Sequence, residues 1–323
     1  MNHRLCVYVG EALAGYHFGS EHPFGPDRYD AFFNEFKHRQ LDRHPSICLG
    51  APAIATQEQL EWFHDHDYVE LVKRLSAAGD GYLDYGDTPA RQGIYEAAAT
   101  VVGTVLEALD QIVKRHCDKA FIPIAGLHHA RRDTAAGFCV FNDCGVAIEA
   151  LRREYGIKRI AYVDIDAHHG DGVYYSFEDD PDLYIVDFHE DGHYLYPGTG
   201  FATETGKGPA KGTKLNINMP PDCGDELFRE RWLEAEKFLD ACAPEFVLLQ
   251  CGADSIAGDP ITHLRYTPKS HAYAAERLCY LADKYAQGRL LVMGGGGYNR
   301  GNLARAWCAV VEKIADYTPD TIK

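Results

Sequence analysis

The stretch RIAYVDIDAHHGDG at residues 159–172 changes character half-way along, and that change decides the fold. From Ile160 to Ile165 it is a nearly unbroken apolar run. A strand of that kind is buried on both faces, which is the condition of a parallel sheet covered by helices. Its second half holds only Asp, His, Gly and Ala, the mix expected where the carboxyl end of a strand opens into a ligand crevice. Four further runs read the same way: AFIPI at 120–124, LYIVDF at 183–188, EFVLLQC at 245–251 and RLLVMG at 289–294. Amphipathic segments between them predict helices near 92–116, 142–155, 225–242, 268–287 and 300–316. Thr56 and Gln59, in capping-box spacing before LEWF, mark the start of another. The alternation predicts an α/β fold, with a central, mainly parallel sheet and helices on both faces. No internal repeat, low-complexity tract or linker divides residues 1–323, so one domain is expected.

A chain of 323 residues with 46% hydrophobic content can bury one large core. The opening MNHRLCVYVG lacks a basic n-region and a cleavage site, and no stretch approaches the roughly 18 apolar residues of a membrane span, so a soluble, cytoplasmic protein is expected. The formal net charge of -16 argues against nucleic acid as a partner and suits a cationic substrate, although acidity that merely keeps a protein soluble explains it as well. Ten cysteines without a CxxC pair read as reduced, packed thiols. No appended helix or tail suggests a partner domain.

Asp164, Asp166 and His168 stand at i, i+2 and i+4, so on an extended chain all three point to one face. Asp254, in CGADSIAGDP after another strand, can complete a set of one histidine and two carboxylates with a position left open, as a catalytic metal site requires. That donor set suits zinc and would also accept ferrous iron. Singly, an Asp at a strand end is more often a turn former, but clustering after two buried strands favours the metal.

His128 and His129 follow AFIPIAGL between Gly126 and Ala130. A general base needs its imidazole held in one tautomer by a carboxylate, and Asp164 and Asp171 are the spare ones. Acidic partners of this kind can keep one histidine protonated while the other cycles. In GGGGY the four glycines bring backbone close to a ligand, and the Tyr298 phenol can donate to a developing oxyanion. Without GxGxxG spacing they do not form a dinucleotide fingerprint.

Together these residues resemble the histone deacetylase family, in particular its class I members and the bacterial acetoin-utilisation-type deacetylases. HPFGPDR at 22–28, LHHA, GFCVFND, DIDAHHGDGV, YPGTG, GADSIAGDP and GGGGY follow the family's order between about residues 16 and 310. The resemblance implies an arginase-like α/β fold, zinc on Asp166, His168 and Asp254, and His129 as base and then acid. It further implies that Asp171 orients His129, that His128 paired with Asp164 gives electrostatic support, and that Tyr298 polarises the scissile carbonyl. Asp87 in YGDTPAR matches a rim aspartate that holds substrate, and Arg28 an arginine near an internal acetate cavity. Gly137, Phe138 and Tyr196 match a tunnel wall, with Tyr196 where the family usually has a second Phe. Potassium is implied at two places, one formed by Asp164, Asp166, His168, Asp187 and Phe188 and the other by Phe177, Asp180 and Leu183. Asp187 departs from a common Ser.

The substrate implied is an acyl-lysine of a protein or peptide, with acetylated polyamine as the alternative. Ile261 favours lysine, because polyamine-selective relatives place a carboxylate at the tunnel mouth and an unpaired distal cation against an apolar wall is costly. A catalytically silent acyl-lysine binder would need no general base, and a two-manganese ureohydrolase would need aspartates where this chain has His169 and Gly170.

Overall fold

The computed structural model describes residues 5–319. Eight strands form one sheet: β1 (Leu5–Tyr8), β2 (Ile47–Gly50), β3 (Lys119–Ile122), β4 (Ile160–Asp164), β5 (Leu183–Glu190), β6 (Lys214–Met219), β7 (Phe246–Gln250) and β8 (Leu290–Met293). Their order is β2-β1-β3-β8-β7-β4-β5-β6, and every pairing is parallel. All residues of β3, β4, β7 and β8 are buried. Since neighbours along a strand point to opposite faces, both faces of the sheet are covered.

The cover consists of helices: α1 (Glu11–Ala14), α2 (Asp27–His38), α3 (Gln57–Leu60), α4 (His66–Ala78), α5 (Ile94–Val113), α6 (Asp143–Arg153), α7 (Asp171–Ser176), α8 (Asp225–Cys242), α9 (Pro268–Tyr285) and α10 (Arg300–Asp316). One group packs α5 against α4 and α6; the other packs α10 against α2 and α9, with α8 beside α9. Helix starts follow local chemistry. Thr56 forms the expected capping box with Gln59, Asn142 accepts from Gly145 N at 2.8 Å to start α6, and Asn299 accepts from Asn302 N at 3.1 Å to start α10.

The five apolar runs became β3, β4, β5, β7 and β8, the central strands together with β5. Three strands were not anticipated. β1 and β2 have four residues each, and β6, KLNINM, alternates apolar residues with Asn216 and Asn218, whose register partners on β5 are Asp187 and His189. The helices α1, α2, α4 and α7 were also not anticipated. The strands β3, β8, β7 and β4 lie side by side, so the segments after their carboxyl ends meet over the middle of the sheet.

Candidate active site

His128 and His129 follow β3 in a loop pinned from behind. The Asp143 carboxylate, at the start of α6, accepts from Gly126 N at 2.9 Å and Leu127 N at 3.1 Å. Gly126 has φ +87, and a Cβ there would stand 2.9 Å from Gly295 N, so the loop from β3 touches the loop from β8 only through glycine. Each imidazole meets its own carboxylate: His128 Nδ1 is 2.7 Å from Asp164 Oδ2 and His129 Nδ1 is 2.7 Å from Asp171 Oδ1. The two Nε2 atoms are 3.1 Å apart.

The pair is electrically split. Burial works against a charged His128, but the Asp164 and Asp166 carboxylates outweigh it and raise its pKa to about 10. Burial and then the His128 charge depress His129 to about 4, although Asp171 acts in the opposite sense. At neutral pH one imidazole is therefore charged and the other is free to accept a proton. Burial and the Asp254 charge push the Tyr298 phenol well above its usual range, so it remains a donor.

Asp166, His168 and Asp254 are buried, and each offers a ligand atom within 4.8 Å of the other two. His168 Nδ1 is 3.0 Å from Asp166 Oδ1 and 3.2 Å from Asp254 Oδ2. Asp254 Oδ2 is buried with no hydrogen-bond partner, and burial together with Asp166 pushes the Asp254 carboxyl up to about 7. A Cβ on Gly296 would fall 2.1 Å from Asp254 Oδ2 and 2.8 Å from Asp166 Oδ2. An unpartnered carboxylate oxygen, a crowd of like charge and a glycine-lined space are what a divalent cation fits.

A cavity of about 250 Å³ leads to these residues, lined by Asp87, Gly137, Phe138, Leu195, Tyr196, Ile261 and Tyr298 as well as His129 and His168. Phe138 crosses the Tyr298 ring edge-on at 5.8 Å, and Tyr196 crosses the His129 ring at 5.2 Å. Asp87 is raised to about 6 by burial and by Asp84 beside it. A much smaller space of about 10 Å³ lies deeper, against Phe24, Leu127, Cys139 and Gly295. Arg28 is buried behind the glycine turn, donating to the Gly295 and Gly297 carbonyls at 2.7 and 2.9 Å, and its Nη1 has no partner.

A family model described as Histone deacetylase domain matches residues 22–314. The chain belongs to the histone deacetylase family. Members of this family are hydrolases, and a metal-dependent deacetylase activity is the function that the match supports. Among its relatives, the acetoin utilization protein AcuC of Bacillus subtilis (strain 168) is 35% identical over 304 residues, covering 91% of this chain and 78% of the relative. Histone deacetylase 6 of Arabidopsis thaliana is 31% identical over 328 residues, covering 98% and 68%. The solved HDA15 HD domain superposes with a TM-score of 0.88 at 25% identity, covering 98% of this deacetylase and 91% of that chain.

Several residues of this candidate site were not singled out from the sequence. Gln250, at the end of β7, donates to Asp166 Oδ2 at 2.9 Å and accepts from Gly252 N at 2.7 Å. Arg131 donates to Asp171 at 3.1 Å, Tyr162 to Asp164 at 2.6 Å, and Asp259 accepts from Tyr298 N at 2.8 Å. Of the two potassium places, Asp164 and Asp187 are register partners on β4 and β5, next to Phe188. The other place differs from expectation. The buried Lys214 ammonium donates to the carbonyls of Asp180 and Leu183, and the Phe177 carbonyl accepts from Asp180 N at 3.1 Å. A side-chain cation thus stands on two of the three carbonyls expected to hold potassium.

Among the described residues no helix is long and apolar enough to cross a membrane. All ten cysteines are free, eight of them buried.

Proposed function

We propose that this protein is a zinc-dependent amidohydrolase that removes acetyl groups from lysine side chains of proteins or peptides. The observation that carries the proposal is a pair of buried imidazoles, His128 on Asp164 and His129 on Asp171, at the inner end of the cavity beside Asp166, His168, Asp254 and the Tyr298 phenol. A binding module needs no pair of imidazoles each oriented by its own carboxylate.

Asp166, His168 and Asp254 would hold the ion, which when bound supplies Lewis acidity to the amide carbonyl and makes a water easier to deprotonate. His129 takes the proton of the attacking water on Nε2, while its Nδ1–H stays on Asp171. It then returns that proton to the leaving amine. The charged His128, held by Asp164, and the Tyr298 hydroxyl both favour the negative charge that grows on the carbonyl oxygen. Against the opposing effect of burial, His129 and then Arg131 keep Asp171 ionised, and the Arg131 guanidinium offsets part of the charge with which that carboxylate raises His129.

Phe138, Leu195 and Tyr196 offer apolar surface to the methylene stem of a lysine, and Asp87 at the rim suits a backbone N–H donor. Ile261 gives a second ammonium no partner, which favours lysine over a polyamine. The inner space of about 10 Å³ favours acetyl over longer acyl chains. The place formed by Asp164, Asp166, His168, Asp187 and Phe188, where β4 and β5 run in register, is proposed to hold a potassium ion.

The test compares the kcat/KM of metal-loaded protein on an acetyl-lysine peptide, its butyryl counterpart, and acetylated putrescine and spermidine. The acetyl peptide should be preferred at least about tenfold over the others, since each of the two extra methylenes of butyryl is worth about 1–3 kcal/mol in a tight pocket and an unpaired cation against an apolar wall is costly to desolvate. Preference for an acetylated polyamine would replace the lysine proposal with the polyamine one.

A further inference from the structure

Lys214 opens β6 and is 2% exposed. Its ammonium donates to the carbonyls of Asp180 and Leu183 and to the Thr213 hydroxyl, the Asp180 bond measuring 2.9 Å and the Thr213 bond 3.0 Å. None of these oxygens carries a full charge. The Asp180 carboxylate turns elsewhere, one oxygen to Arg152 and the other to Asp182 N. Burial lowers the Lys214 pKa to about 8, with the charge of Asp180 acting in the opposite sense, so at neutral pH the group is still mostly protonated. A buried lysine is ordinarily matched by a carboxylate. Here it is coordinated by carbonyl and hydroxyl oxygens, as a small monovalent cation is.

The place it occupies matters to the site. Residues 177–182 join the end of α7 to β5, and α7 begins with Asp171, the carboxylate that holds His129. The ammonium ties this connection to the first residues of β6, where Ile185 N also donates to the Thr213 carbonyl at 3.1 Å.

We propose that the Lys214 ammonium is a tethered monovalent cation that fastens the Asp180–Leu183 turn to β6, so that deleting it turns the same oxygens into a binding site for a free potassium or ammonium ion. An ammonium group and a potassium ion are nearly the same size. Lys214→Ala leaves two buried carbonyls short of a donor and a cavity of matching shape, whereas Lys214→Met fills the path of the stem and adds no charge.

The test is the thermal midpoint of wild type, Lys214→Ala and Lys214→Met in potassium chloride and in tetramethylammonium chloride at equal ionic strength. It reads stability, so its outcome is separate from that of the lysine-deacetylase proposal. A potassium ion at the place formed by Asp164, Asp166, His168, Asp187 and Phe188 would act on all three proteins alike, and the comparison with wild type removes it. Potassium should raise the midpoint of Lys214→Ala by roughly 3 °C more than that of wild type, ammonium chloride should do the same, and Lys214→Met should respond as wild type does. Equal responses of all three proteins would overturn the proposal. If Lys214→Ala is recovered insoluble, its refolding yield from urea in the two salts is read in the same way, and equal yields overturn it.

Discussion

Gly296 shows how little space the proposed metal site leaves for error. Its backbone N–H donates to Asp166 Oδ2 at 2.9 Å, and an added Cβ would stand 2.1 Å from Asp254 Oδ2. Gly296→Ala is therefore expected to fold but to lose most of its affinity for zinc, as seen by metal analysis after gel filtration; full metal occupancy in the variant would contradict the assignment of Asp166 and Asp254 as ligands. At this scale the motif residues were legible because strand ends bring their own short segments to the site: Asp164, Asp166, His168 and Asp171 come from eight consecutive positions of the chain. Gln250 and Arg131 were not, and the roles of Asp143 and Asp259 were not either, although both lie inside quoted motifs. A glutamine that ends an apolar run announces nothing by itself, and its contact with Asp166 spans 84 positions. Lys214 was missed for the same reason, since only the fold reveals that its ammonium turns inward onto main-chain carbonyls.

Helix α10 gives the glycine turn its backing. Trp307 is fully buried, and its indole N–H donates to the Gly294 carbonyl at 2.9 Å and the Cys251 carbonyl at 3.2 Å, the residues just before the segments that deliver Tyr298 and Asp254. Trp307→Ala should cost about 3–5 kcal/mol in urea unfolding. Trp307→Phe keeps most of the packing and should cost less, while lowering kcat by misplacing the two segments. A loss confined to stability, with kcat unchanged in both variants, would mean that α10 does not position the site. The central strands were readable because full burial imposes a continuous apolar run. The edge strands β2 and β6, and β1 beside β2, were not: β2 is buried at only one of its four positions, and the polar positions of β6 face other polar groups on β5.

Over the whole molecule, acid should weaken the fold in a window set partly by His64. This residue is buried and accepts from Asn142 N at 2.9 Å, and burial depresses its pKa from 6.5 to about 3. As pH falls below about 6.5 the unfolded chain takes up a proton that the folded protein refuses, so the His64 contribution is complete above that pH and is lost progressively toward pH 3. Thermal midpoints of wild type should fall across this window more steeply than those of His64→Gln, which keeps an acceptor for Asn142 N and has no proton to take. Parallel curves would remove His64 from the account. The net charge of -16 read from composition and the prediction of one α/β sheet both concern this scale, and the sheet was the more informative, since its central order brings four strand ends to one place.

The measurement that bears most directly on the central claim is a metal titration of stripped protein, reading bound zinc and hydrolysis of an acetyl-lysine peptide together, for wild type and His129→Ala. The account predicts that wild-type activity rises to a plateau at about one zinc per chain and that His129→Ala binds the same zinc with kcat lower by roughly 10²–10⁴. Hydrolysis without metal, or a metal-loaded His129→Ala as active as wild type, would contradict it.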